Sequence, residues 1–266
     1  MTSQTMFAID DPIIRVVNLC KAFGKNKVLR EISLDVARGK ITTIIGGSGS
    51  GKSVLVKHII GLLKCDSGQV YYEDTDLTPL GSRGLAEVRR NYGMLFQHSA
   101  LFDSMDVEQN IAFPLVEHTR KSRKEIQTIV KDKLSLLGLE GIERLFPSEL
   151  SGGMRKRVAL ARAIVLNPQI ILYDEPTTGL DPIMTFNVDQ MIKEAQEKLK
   201  ITSIVISHDM ASTFRISDYV AMLYEGKIIE FGPPETILNS KLDEVQSFLS
   251  ASSLPSVHRT TSGERA

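Results

Sequence analysis

Residues 46–53 read Gly46-Gly47-Ser48-Gly49-Ser50-Gly51-Lys52-Ser53. A run this rich in glycine makes a poor helix or strand, because glycine loses the most conformational freedom on ordering. The backbone must curl here, and the flanking residues say between what. Residues 40–45 are β-branched and apolar after a lysine, which predicts a strand. Residues 53–63 carry Leu55, Ile59, Leu62 and Leu63 at helical spacing. A glycine loop between a strand and a helix is the context in which backbone N–H groups converge on an anion.

The residue types suit a nucleotide triphosphate. Glycines let successive N–H groups point inward at phosphate oxygens. Lys52 supplies a compact charge for the β- and γ-phosphates, and Ser53 a hydroxyl for Mg²⁺. Gly46, Gly47, Ser48, Gly49, Ser50, Gly51, Lys52 and Ser53 are therefore the candidate residues for ATP.

A second pair of signals lies far downstream. Ile170-Ile171-Leu172-Tyr173-Asp174-Glu175 ends an apolar strand with two acids. At the carboxyl end of a parallel strand such acids face the ligand crevice. Asp174 suits Mg²⁺, and Glu175 could polarise an attacking water. Leu150-Ser151-Gly152-Gly153-Met154 opens a predicted helix that runs to Leu166, ahead of Asn167-Pro168. Ser151 is a natural N-cap, Val158, Ala161 and Val165 mark the buried stripe, and the basic residues 155, 156, 157 and 162 lie around the rest. Gly152 and Gly153 bare the backbone N–H groups, which makes another anion-binding helix start. One nucleotide does not need two such sites on one chain. In a two-fold dimer the loop of one copy would face the Ser151 helix of the other, with ATP between.

The rest of the 266 residues sets the frame. Lys+Arg and Asp+Glu both total 32, so the balance is not that of a nucleic-acid binder. Cys20 and Cys65 form no Cys-x-x-Cys pair, which argues against a disulfide framework or zinc site. No apolar run approaches the roughly 18 residues a bilayer span requires, so a membrane role would need another chain to do the spanning. Further strands are expected at 13–17, 70–72 and 204–206, with a hairpin over 219–231 whose outer strand is an antiparallel edge. The fold class is α/β: a mainly parallel sheet with an antiparallel part and an inserted helical subdomain at about 98–166. Residues 1–11 are expected to be flexible, 12–240 to form the nucleotide-binding domain, and 241–266 to be a partly flexible extension.

Taken in order, these segments resemble the nucleotide-binding subunit of an ATP-binding cassette (ABC) transporter over nearly the whole chain. The motifs are the loop at 46–53, Gln97 in Leu95-Phe96-Gln97, the signature at 150–154, Asp174-Glu175, Gly179-Leu180-Asp181, and His208 in Ile206-Ser207-His208-Asp209. The resemblance implies that Phe23 stacks on adenine and that Gln97 contacts Mg²⁺ and reports on a membrane permease. It implies that Ser151 and Gly153 touch the γ-phosphate across a homodimer, that Asp181 links the two sites, and that His208 holds the γ-phosphate and positions Glu175. Met154 departs from the glutamine common at that position, and lacks its polar contacts.

Finer features at 49–55, 100–104, 110–114 and 117–119, together with Met154, resemble the ATPase of bacterial lipid-trafficking systems of the Mla type, associated with MCE-domain proteins. That likeness implies a peripheral protein on the cytoplasmic face of the inner membrane, with phospholipid as cargo. The alternatives are an amino-acid or ion importer ATPase, a soluble non-transport ABC ATPase, and a nucleotide-binding module without turnover. Glu175 and His208 argue against the last.

Overall fold

The structure is a computed structural model and describes residues 9–97 and 99–252. Most of the expected N-terminal and C-terminal flexible segments lie outside the described residues. Two sheets carry the fold. The larger has six strands in the order β10-β9-β3-β8-β7-β6. These are β3 (Ile41–Ile45), β6 (Tyr92–Leu95), β7 (Ile170–Asp174), β8 (Thr202–Ile206), β9 (Tyr219–Tyr224) and β10 (Lys227–Gly232). All pairings from β9 to β6 are parallel, and β10 closes one edge antiparallel to β9. The smaller sheet is antiparallel, in the order β2-β1-β4-β5. It contains β1 (Pro12–Phe23), β2 (Asn26–Ala37), β4 (Ser67–Tyr72) and β5 (Thr75–Asp76).

The continuous apolar strands are buried on both faces, as parallel strands covered by helices must be. Along β7, Ile170 and Leu172 face a core shared with the antiparallel sheet and helix α1 (Lys52–Ile59). Ile171 and Tyr173 face the opposite side, against helices α5 (Gly152–Ile164) and α6 (Pro182–Leu199). α2 (Ser82–Arg89) precedes β6.

Between β6 and β7 the ordered elements are helical: α3 (Val107–His118), α4 (Arg123–Leu136), a short 3₁₀ turn at Pro147–Glu149, and α5. Capping boxes start α3 at Asp106 and Gln109 and α4 at Ser122 and Glu125. α5 belongs to two cores. Val158, Ala161 and Val165 pack with α3 and α4, whereas Ala159, Leu160 and Ile164 pack under the large sheet. α7 (Met210–Ile216), α8 (Pro234–Leu238) and α9 (Asp243–Ala251) complete the chain, and α9 packs through Val245 and Leu249 on Ile45 and Met210.

Candidate functional site

Because β3, β8, β7 and β6 are parallel neighbours, their carboxyl ends lie along one edge of the sheet. Residues 46–53 follow β3, Ser207 and His208 follow β8, Asp174 and Glu175 end β7, and Gln97 follows β6. Ligands bind at this edge in open α/β sheets. A cleft of about 1020 Å³ opens there, lined among others by Gly46, Lys52, Ser53, Asp174, Glu175 and His208.

The glycine loop has the conformation its composition predicts. Gly46, Gly49 and Gly51 have φ of 151°, 76° and 108°. A Cβ on Gly46 would stand 2.2 Å from the Leu223 carbonyl oxygen, so only glycine fits. Gly51 begins α1 in the left-handed region with no side-chain cap. The first N–H groups of that helix are thus left to a ligand. Lys52 Nζ donates to the Gly46 and Gly47 carbonyls at 2.8 and 3.0 Å. Burial lowers the Lys52 pKa, opposed by Glu175 and Asp174. Ser50 Oγ is buried with no hydrogen-bond partner among the described residues. These donors fit a polyphosphate.

The acids opposite are held firmly. Burial, then the charge of Glu175, raises the Asp174 pKa, with Lys57 and Lys52 acting against them. Glu175 sits at φ 49°, a conformation that a non-glycine residue adopts only under constraint. Its N–H bonds the Ile206 carbonyl at 3.0 Å. Its Oε2 accepts from Thr178 Oγ1 at 3.0 Å and pairs with His208 Nδ1 at 2.8 Å. α7, which follows His208, is tied to α6 by Asp189. That fully buried carboxylate accepts from Ser212 and Arg215. Thr178 was not singled out by sequence. The one available signal is a hydroxyl three residues beyond a strand-ending acid.

Other candidates lie apart from this cleft. Ser151, Gly152 and Gly153 line a separate hollow with Met154 and Met184. Ser151 Oγ accepts from Met154 N–H at 3.2 Å, as an N-cap should. Asp181 caps α6, accepting from Ile183 and Met184 N–H at 2.9 Å. Phe23 is half exposed at the end of β1, with Lys21 Nζ 5.6 Å from its ring centre. Gln97 does not line the cleft, and its carbonyl accepts from Lys156 Nζ. Lys156 departs from the sequence reading, which set it outside the buried stripe of α5: it is 5% exposed, because α5 is covered on two sides.

Comparison with known proteins agrees with this geometry. Residues 29–178 match the ABC transporter family model. A protein of Mycobacterium leprae described as "Probable ribonucleotide transport ATP-binding protein mkl" is 43% identical over 89% of this chain and 68% of its own length. The "Intermembrane phospholipid transport system ATP-binding protein MlaF" of Haemophilus influenzae is 43% identical over 91% of each chain. The solved dimer of the cassette MJ0796, in a post-hydrolysis state bound to ADP and Pi, superposes with a TM-score of 0.73. It is 29% identical over 83% of this chain and 98% of its own. No helix among the described residues is long and apolar enough to cross a membrane. The chain is an ATP-binding, ATP-hydrolysing protein, and it belongs to the ABC transporter family.

Proposed function

We propose that the chain is the ATPase subunit of a phospholipid-transporting ABC system, working as a homodimer beneath a separate permease on the cytoplasmic face of a bacterial inner membrane. The observation that carries the reading is the split site. Residues 46–53, Asp174, Glu175 and His208 share one cleft, while Ser151, Gly152 and Gly153 open on another hollow. Two copies face to face would bring each helix start to the partner's cleft, which is the arrangement of closed point-group assembly.

In this reading the loop N–H groups and Lys52 hold the phosphates. Glu175 Oε1, the oxygen not bonded to His208 or Thr178 among the described residues, polarises the attacking water. With Nδ1 engaged by Glu175, His208 can donate from Nε2 to a phosphate only as the imidazolium. Ser151 and Gly153 reach the γ-phosphate from the partner, Asp181 links the two sites, and Phe23 supports the adenine. Ser53 and Asp174 in the cleft, with Gln97 from the loop after β6, would be the residues to hold Mg²⁺, which would neutralise charge on the phosphates. These groups are too few to hold it alone, so it would arrive with the nucleotide. In the same reading 12–240 form the cassette and about 98–166 its helical subdomain.

The cargo assignment leans on the relative matched over nearly all of both chains, whose name specifies phospholipid. The mycobacterial relative's name specifies ribonucleotide. Purification of the native complex from membranes, with its chains and lipids identified, tests the choice. A permease, an MCE-domain protein and bound phospholipid are expected. A complex without lipid that retains ribonucleotides at a non-ATP site would overturn it.

A further inference from the structure

The loop leaving β6 is gripped from α5 by two cations. Lys156 is 5% exposed, and no carboxylate among the described residues pairs with it. Its ammonium instead donates to the Gln97 carbonyl. Burial lowers its pKa. Six residues on, Arg162 donates to the Ala100 carbonyl at 2.8 Å and the Ser99 carbonyl at 2.9 Å. Ser99 and Ala100 are consecutive non-glycine residues at φ 62° and 48°. Such a pair persists only when its surroundings hold it. From the other side, the Asn110 amide holds Phe102 and Met105.

A buried cation with no anion is an expensive way to fasten a loop, and a neutral side chain would suit stability better. The helix that supplies it begins at Ser151. We propose that Lys156 is a positioning residue that transmits the state of one nucleotide site to the other. It fixes Gln97, assigned to the chain's own site, to the helix whose first turn serves the partner's site. The inference rests on the dimer reading above. A shift of α5 when Ser151 engages nucleotide would move Gln97 through the Lys156 ammonium, and the reverse would hold by linkage.

The test uses the full chain and ATP. Wild type is first checked for ATP-dependent dimerisation and hydrolysis, and failure there removes the dimer reading itself. Given both, the rate against ATP concentration should show a Hill coefficient of about 2, the number of sites. Lys156→Met should bring it toward 1, while Lys131→Met, which removes an exposed cation of α4 away from both hollows, leaves it unaltered. The melting temperature of each variant is measured alongside. Should Lys156→Met fail to fold, Lys156→Gln, a neutral polar side chain too short to keep the same bond to the Gln97 carbonyl, is held to the same readout. A folded variant with the wild-type Hill coefficient, or a wild-type dimer that hydrolyses ATP without cooperativity, would overturn the proposal.

Discussion

Two helix starts in this protein are both built to meet an anion, and they are built differently. α1 begins at Gly51 with no side-chain cap, beside a lysine, two carboxylates and a histidine. α5 begins at Ser151, which caps its own helix, and the hollow in front of it is lined by Met154, Met184 and Met191 with no carboxylate. The first place can bind a phosphate and assist its transfer. The second can bind only, since no carboxylate or histidine lines it to serve as a base. In the proposed dimer, a chain carrying one of each has a complete catalyst only when two copies meet.

Four changes probe this contrast, in order of expected effect. Glu175→Gln removes the base from the α1 side and should cut ATP turnover by roughly 10²- to 10⁴-fold. Nucleotide binding, followed by a fluorescent ATP analogue, should persist. Turnover at the wild-type rate would place the base elsewhere. Gly153→Ala acts on the α5 side alone. The added Cβ would meet only the flexible end of Met184, at 3.1 Å, so the protomer should melt within a few degrees of wild type. ATPase activity should nonetheless fall by roughly a hundredfold, because a phosphate could no longer approach the backbone. Full activity would show that the α5 start meets no nucleotide.

Ser151→Ala should have two smaller effects together. Losing the cap destabilises the protomer by about 1 kcal/mol. Losing a hydrogen bond to a charged group slows hydrolysis roughly tenfold. A stability loss without a kinetic one would leave Ser151 a cap only. The smallest effect concerns the stability of nucleotide-free Lys52→Met. Burial depresses the Lys52 pKa, so the ammonium is the form the folded chain disfavours. The associated stability is present above the ordinary lysine value of 10.5 and is lost as pH falls through the depressed one. At pH 7 the methionine variant should therefore melt no lower than wild type, and any advantage should shrink toward pH 10. A lower melting temperature at pH 7 would mean that the bonds to Gly46 and Gly47 outweigh the burial.

The strands that frame the site could be found from their composition, whereas others could not. β3, β7 and β8 are β-branched runs, and their ends coincide with the expected positions of the loop and acids. β2 escaped notice because Arg30 and Glu31 interrupt its apolar residues, and Glu31 sits at φ 54°. β6 was hidden in Tyr-Gly-Met-Leu, which has little strand character. Its glycine answers to packing: a Cβ on Gly93 would lie 2.5 Å from the Ala163 carbonyl on α5. Lys156 was equally hidden, since nothing in Met-Arg-Lys-Arg-Val marks one of three cations for burial.

Local chemistry settled much of this molecule in advance. The phosphate loop, the acids at a strand end and the capped helix follow from glycine's freedom, strand period and hydroxyl capping, which act over a few residues. Contacts across the chain settled the rest. The parallel order β3-β8-β7 brings Glu175 and His208 within 2.8 Å although 33 residues separate them. The double burial of α5 turns one of its cations inward onto Gln97. Such meetings depend on which surfaces pack together, and no short stretch of sequence carries that information.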